Sequence, residues 1–154
     1  MGRRAVVVLL GAAALAACAP DSWRYAPTFN EFLRQIAREC HDEGVAVAVF
    51  PELTLSGYSI EDILLQDSLL DAVEAAVAEI VAATSDLLPV LVIGAPLRHL
   101  HRIYNTAVVI HRGRVLGVAV KSYLPTYREF YERRQVAPGD DMGGTIRLLG
   151  QDVP

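Results

Sequence analysis

The chain has 154 residues, of which 53% are hydrophobic and 21% charged, and its mean hydropathy is +0.31. That balance excludes a disordered chain and predicts one globular domain. Its 14 basic and 18 acidic residues leave a net charge of −4, and no basic run exceeds the pairs Arg3-Arg4 and Arg133-Arg134, so a nucleic-acid partner is not expected. Lys121 is the only lysine in a chain that otherwise uses arginine, which points to a position that needs a compact ammonium.

The amino terminus supports two readings. Gly2-Arg3-Arg4 followed by the apolar run Ala5 to Ala17 has the form of a secretory signal, with Leu15-Ala16-Ala17-Cys18 suited to lipoprotein cleavage. The run is too short to span a bilayer. Alternatively, Ala14 to Cys18 is the first buried strand of an α/β domain.

Further along, Thr28-x-x-Glu31 has the pattern of a capping box, and Phe29, Phe32, Leu33, Ile36, Ala37 and Cys40 fall on one helical face closed by Gly44. Cys40 on that stripe reads as a buried thiol, not a nucleophile. Cys18 and Cys40 allow at most one disulfide and have no metal-ligand spacing. The four histidines, His41, His99, His101 and His111, are expected at the surface. Val45 to Phe50, closed by Pro51, predicts a buried strand in a mostly parallel sheet. Ser59 and Ser68 are expected to cap two helices, with Leu69, Val73, Val77, Ile80 and Val81 as the core stripe of the second. Val90 to Ile93 predicts another strand, and Ile103 to His111 with Val115 to Val120 predict a hairpin around Arg112-Gly113. Tyr123 to Arg134 reads as a loop leading into a short helical turn, and Thr145 to Leu149 as one more strand.

Alternating helices and strands define an α/β fold, in which ligands bind at the carboxyl ends of strands. Glu52 and Lys121 both follow such ends. A carboxylate and an ammonium on one rim are suited to accepting a proton from a nucleophile and stabilising the oxyanion formed at a carbonyl. The sequence offers no Ser, Cys or Thr in a recognisable nucleophile elbow.

Three ordered stretches carry a resemblance: Val49-Phe50-Pro51-Glu52-Leu53-Thr54-Leu55-Ser56-Gly57-Tyr58, Tyr104-Asn105-Thr106-Ala107-Val108-Val109, and Lys121-x-x-Leu124-Pro125-x-Tyr127-x-x-Phe130-x-Glu132-x-Arg134. Over residues 28 to 154 the chain resembles the nitrilase, or carbon-nitrogen hydrolase, superfamily. Within it the chain is similar to the amino-terminal glutaminase domain of glutamine-dependent NAD+ synthetases. The resemblance implies a nitrilase-type α-β-β-α sandwich of which only the first half is present. Residues 1–25 then form a divergent amino terminus and 26–154 a domain truncated before the nucleophilic cysteine. It implies Glu52 as general base, Lys121 as the oxyanion-stabilising lysine, Glu132 as a second carboxylate beside that lysine, Tyr127 as a glutamine-binding residue and Tyr58 as a further pocket residue. It also implies no cofactor in this region. ATP and Mg2+ belong to a covalently linked synthetase domain, and the complete protein is expected to be a cytoplasmic homo-oligomer. A free-standing amidase or nitrilase is the alternative enzyme, separated by whether a Ser-Gly-Gly loop of the pyrophosphatase type follows. A lipid-anchored, non-catalytic module is the other alternative, separated by whether Cys18 is lipidated.

Overall fold

The computed structural model describes Val8, Leu9, residues 29–140 and residues 142–154. A five-stranded mixed sheet runs in sequence order, formed by β1 (Val8–Leu9), β2 (Val47–Val49), β3 (Val90–His99), β4 (Arg102–His111) and β5 (Arg114–Val120). β1, β2 and β3 are parallel. β4 and β5 return as antiparallel hairpins. α1 (Phe29–Asp42) and α2 (Asp67–Ala83) supply the crossovers that parallel neighbours require. A small hairpin of β6 (Ile146–Leu148) and β7 (Gln151–Val153) follows.

Strand alternation divides the sheet into two faces. Leu91, Ile93, Ala95 and Leu97 of β3 pair across from Ile110, Val108, Thr106 and Tyr104 of β4. The apolar members of this face join Leu33, Ile36 and Ala37 of α1 and Val73, Val77 and Ile80 of α2 in one core, to which the last hairpin adds Leu148 and Val153. Full burial of each Ile or Leu there contributes about 1.5–3 kcal/mol. The other face carries Gly94, Pro96, Asn105 and Ala107, and the functional loops run toward it.

The expected stripe of α1 is buried from Leu33 to Cys40. The helix ends in a Schellman motif: Gly44 at φ +70° donates to the His41 carbonyl at 3.0 Å while Val45 donates to that of Cys40 at 2.8 Å. Thr28, half of the expected capping box, lies outside the described residues, and the Glu31 carboxylate pairs with Arg34 at 2.5 Å. The strand expected at Ala14 to Cys18 also falls outside them. The first described strand is Val8–Leu9, earlier in the same apolar run.

Several local expectations are corrected. Neither Ser59 nor Ser68 caps a helix: a 3-10 turn at Glu61–Leu65 follows Ile60, and α2 follows Gln66, without side-chain caps. Glu61 at φ +52° breaks any helix started from Ser59. Asp67 and Asp71 instead bind Arg98 of β3, which fixes the start of α2 from outside. The buried stripe of α2 runs through Leu70 and Ala76 as well as Val73, Val77 and Ile80, while Leu69 packs on a separate small cluster. β3 continues six residues beyond Ile93 and turns into β4 through Leu100 (φ +46°) and His101 (φ +64°), a tight turn with no Gly or Asn to announce it. His41 is a half-buried acceptor, with its Nδ1 2.9 Å from the Leu88 N–H.

One close approach positions the site. At the end of β2, Phe50 N–H donates to the Val92 carbonyl at 2.8 Å, and Leu55 N–H to that of Gly94 at 3.1 Å. The chain between them crosses directly over Gly94: a Cβ there would stand 2.3 Å from the Pro51 oxygen and 2.5 Å from the Leu53 nitrogen. Leu53 follows in the left-handed region at φ +50°, and its carbonyl accepts from Ser56 and Gly57. Gly94→Ala is therefore expected to lower unfolding free energy by about 1–3 kcal/mol, the usual cost of overpacking. Gly143→Ala, with no atom within 4 Å of the added carbon, serves as the control. Equal denaturation midpoints for the two variants would show that the loop has slack.

Candidate active site

Glu52 leaves the end of β2 on the loop pinned by Gly94. Lys121 follows β5 and stays in the ladder: its N–H donates to the Asn105 carbonyl at 2.9 Å, and its own carbonyl accepts from Gly139 at 3.1 Å. The two side chains meet, with Lys121 Nζ 2.6 Å from Glu52 Oε1. Nζ also donates to Glu132 Oε1 and Oε2, both at 3.0 Å. Asn105 Nδ2 donates to the same Glu52 Oε1, and Tyr58 hydroxyl donates to Glu132 Oε1 at 2.6 Å. Four residues from three other segments, with Glu52 and Tyr58 sharing the loop after β2, thus gather around Lys121.

Glu132 is the buried member, 7% exposed, at the start of a 3-10 turn spanning Glu132–Arg134. Its placement is fixed by the surrounding backbone: Glu132 N–H reaches the Pro125 carbonyl at 3.3 Å and Ala137 N–H that of Ile103 at 2.8 Å. Tyr131 hydroxyl to Glu61 at 2.5 Å and Arg134 to Asp62 at 2.6 Å fasten this segment to the Glu61–Leu65 turn. Leu64, Leu124 and Val136 pack beneath it.

Charge compensation sets the protonation states. Burial pushes the Lys121 ammonium down, but hydrogen bonds and charges from Glu52 and Glu132 outweigh that and hold it above the ordinary lysine value. Burial, followed by the bond to Glu132 and the charges of Glu132 and Glu52, pushes the Tyr58 phenol far up. At neutral pH, therefore, Lys121 is a cation and Tyr58 a neutral donor. Such an arrangement can take up a proton at a carboxylate and place a positive charge against a developing oxyanion.

A cleft of about 320 Å³ opens beside the cluster, lined by Leu53, Tyr58, Asn105, Phe130, Glu132 and Val136 among others. Tyr127 is not among its walls. It is 65% exposed and meets the cleft only through an edge contact with Phe130, with ring centroids 5.8 Å apart. Asn105, 3% exposed, is the member that sequence reasoning missed. Its signal was a carboxamide inside the otherwise apolar run of β4. Cys40 lies in the helix-facing core, where burial and Glu39 push its thiol up, and it is no part of the cluster. Cys18 lies outside the described residues. Among the described residues no group of three or more His, Cys, Asp or Glu is placed to hold a metal ion, and no helix is long and apolar enough to cross a membrane.

The fold and the strand-end cluster define a site of the nitrilase kind, and residues 10–150 match the carbon-nitrogen hydrolase family model. The chain belongs to the carbon-nitrogen hydrolase family. It is 72% identical over 135 residues to the glutamine-dependent NAD(+) synthetase of Mycobacterium leprae, covering 87% of this chain and 20% of that protein. It is 77% identical over 118 residues to the protein of the same name from Mycobacterium tuberculosis, covering 77% of this chain and 17% of that one. Among solved structures, the glutamine-dependent NAD(+) synthetase from Cytophaga hutchinsonii superposes with a TM-score of 0.76 at 23% identity, over 84% of this chain and 22% of that chain. The chain thus spans about a fifth of the length of these relatives. The described residues supply a five-stranded sheet, the small β6–β7 sheet and one helical layer, part of the four-layer sandwich that the resemblance implies.

Because Lys121 is the only lysine, [ε-13C]lysine labelling gives one side-chain resonance. It is expected to titrate above 10.5, the ordinary lysine value. A raised folded value means that the stability contributed by the ammonium is complete below that ordinary value and is lost as pH climbs through the folded one. Glu132→Gln removes one carboxylate and is expected to lower the midpoint. An unchanged midpoint would show that Glu132 does not stabilise the charge.

Proposed function

We propose that this chain is part of a glutaminase that releases ammonia from glutamine for ATP-dependent NAD+ synthesis. The contact of Lys121 with both Glu52 and Glu132 carries the reading, and the 72–77% identity to mycobacterial proteins named glutamine-dependent NAD(+) synthetase supports the substrate. In the reaction, Glu52 accepts the proton of a cysteine thiol provided by sequence beyond these residues. The thiolate adds to the glutamine amide carbonyl, and the oxyanion forms against Lys121 Nζ. Collapse breaks the C–N bond, the proton returns to the leaving nitrogen, and ammonia departs. Water, deprotonated in turn by Glu52, hydrolyses the thioester to glutamate. Glu132 holds the Lys121 charge in place, and Tyr127 contributes to glutamine binding from the rim through Phe130. ATP and Mg2+ act in a synthetase region of the longer protein, with ammonia passed between the two, and the whole works in the cytoplasm.

Two outcomes test this. The 154-residue chain alone is expected to release no glutamate from glutamine, because among the described residues no thiol stands beside Glu52 to be activated. Turnover above that of a Glu52→Ala control would overturn the assignment. In the full-length gene product, Lys121→Arg is expected to cut glutamine-driven NAD+ formation by about a hundred- to a thousand-fold, the usual loss for one oxyanion donor. Ammonia-driven formation survives. A planar guanidinium would lock bidentately onto one carboxylate and leave the oxyanion unserved. Equal retention of both rates would make Lys121 a structural ion-pair partner only.

A further inference from the structure

We infer that Asn105 is the positioning residue that fixes the Glu52 carboxylate relative to Lys121 and selects which of its oxygens takes up the proton. The inference deepens the glutaminase reading and rests on Glu52 being its proton acceptor. Asn105 holds both partners from one point on β4. Its main-chain carbonyl accepts from the Lys121 N–H at 2.9 Å, and its side-chain Nδ2 donates to Glu52 Oε1. Lys121 Nζ donates to that same oxygen at 2.6 Å. Oε1 thus takes two donors, while Oε2 has no partner among the described residues. A doubly bonded carboxylate oxygen is the poorer proton acceptor, so the proton goes to Oε2.

The geometry of the pair would otherwise be loose. The Glu52 side chain is 40% exposed and sits on a loop, and Lys121 has four rotatable side-chain bonds. Asn105, by contrast, is 3% exposed in the middle of the sheet, between β3 and β5. Its backbone is held by two ladders and its carboxamide has little room to turn. A buried carboxamide is costly unless its hydrogen bonds are made. Glu52 satisfies the Asn105 donor, and Asn105 restricts Glu52 in return. The charged and titratable groups facing Glu52 are then Lys121 just after β5, Glu132 from the following 3-10 turn and Tyr58 from its own loop. Asn105 is the neutral neighbour, and it orients the carboxylate without adding charge.

The test uses Asn105→Ala and the near-isosteric Asn105→Asp. In the full-length gene product both are expected to lower glutamine-driven kcat by about 10- to 100-fold, the scale of a misplacement of roughly 1 Å. The glutamine KM is expected to stay within about twofold, since uniform binding is untouched. Ammonia-driven NAD+ formation is expected to hold. Asn105→Asp also sets a second carboxylate beside Glu52, which keeps a proton there to higher pH, so the acid limb of its glutamine-driven rate moves up. An activity-independent measurement follows the Lys121 side-chain resonance of the [ε-13C]lysine-labelled full-length protein, assigned by its loss in Lys121→Arg. Asn105→Ala is expected to move the Lys121 resonance when Glu52 is present and to leave it in place in a Glu52→Ala background. The inference is overturned by kcat values within twofold of the parent, by parallel losses in kcat and KM with an unmoved acid limb, or by a Lys121 shift that persists without Glu52. A full-length protein with no glutamine-driven rate, but with the Lys121 coupling intact, would overturn the glutaminase reading and leave the positioning standing.

Discussion

Two carboxylates, Glu52 and Glu132, share one cleft because a single ammonium stands between them. Without Lys121 Nζ, within 2.6 Å of one and 3.0 Å of the other, an exposed and a buried carboxylate would face each other with no positive charge between them. The sheet order makes the meeting possible. β2 and β5 are separated by β3 and β4, so Glu52 must lean across two strands to reach Lys121. Its loop can do so only because Gly94 has no side chain in the way. The burial of Glu132 as a charged acid depends on that one cation, whereas the raised phenol of Tyr58 comes from its own burial and from the two acids.

The supporting devices are of two kinds. Those near the cluster are backbone hydrogen bonds and a steric vacancy, which hold positions whatever the pH. Those at the periphery, Arg98 with Asp67 and Asp71 and Arg134 with Asp62, are exposed ion pairs. Such pairs are worth about 0–1 kcal/mol each and weaken with salt. They set register between elements more than they add stability, which places the geometry of the site in the sheet and leaves the rim adjustable.

Strand-end logic alone picked out Glu52 and Lys121, because a charged residue directly after a buried apolar run has few places to go. Glu132 needed the motif resemblance, since nothing in Tyr131-Glu132-Arg133-Arg134 announces a buried acid among exposed neighbours. Asn105 stayed hidden because its importance comes from register: it is defined by what lies opposite the end of β2, two strands away. The serine caps misled because α2 starts where Arg98 pairs with Asp67 and Asp71 and the left-handed Glu61 breaks any helix begun at Ser59, neither of which local propensity records. The Leu100-His101 turn was illegible for a related reason: the long β3–β4 ladder imposes left-handed backbone on residues that do not favour it. The run Thr145 to Leu149 announced β6 (Ile146–Leu148), but β7 (Gln151–Val153) is three residues of mixed polarity, too short to separate from the turns around it.

Leu53 shows how such a site restricts change over generations. Its backbone is left-handed at φ +50°, which costs a residue with a Cβ about 1–2 kcal/mol, yet its side chain is 4% exposed and forms part of the cleft wall. Glycine would relax the backbone and open a void; a β-branched residue would fill the void and strain the backbone further. No single replacement improves both terms, so drift at this position runs uphill in either direction. The residue next to Glu52 is thereby trapped by two opposing demands, and the loop that carries the carboxylate inherits the same immobility.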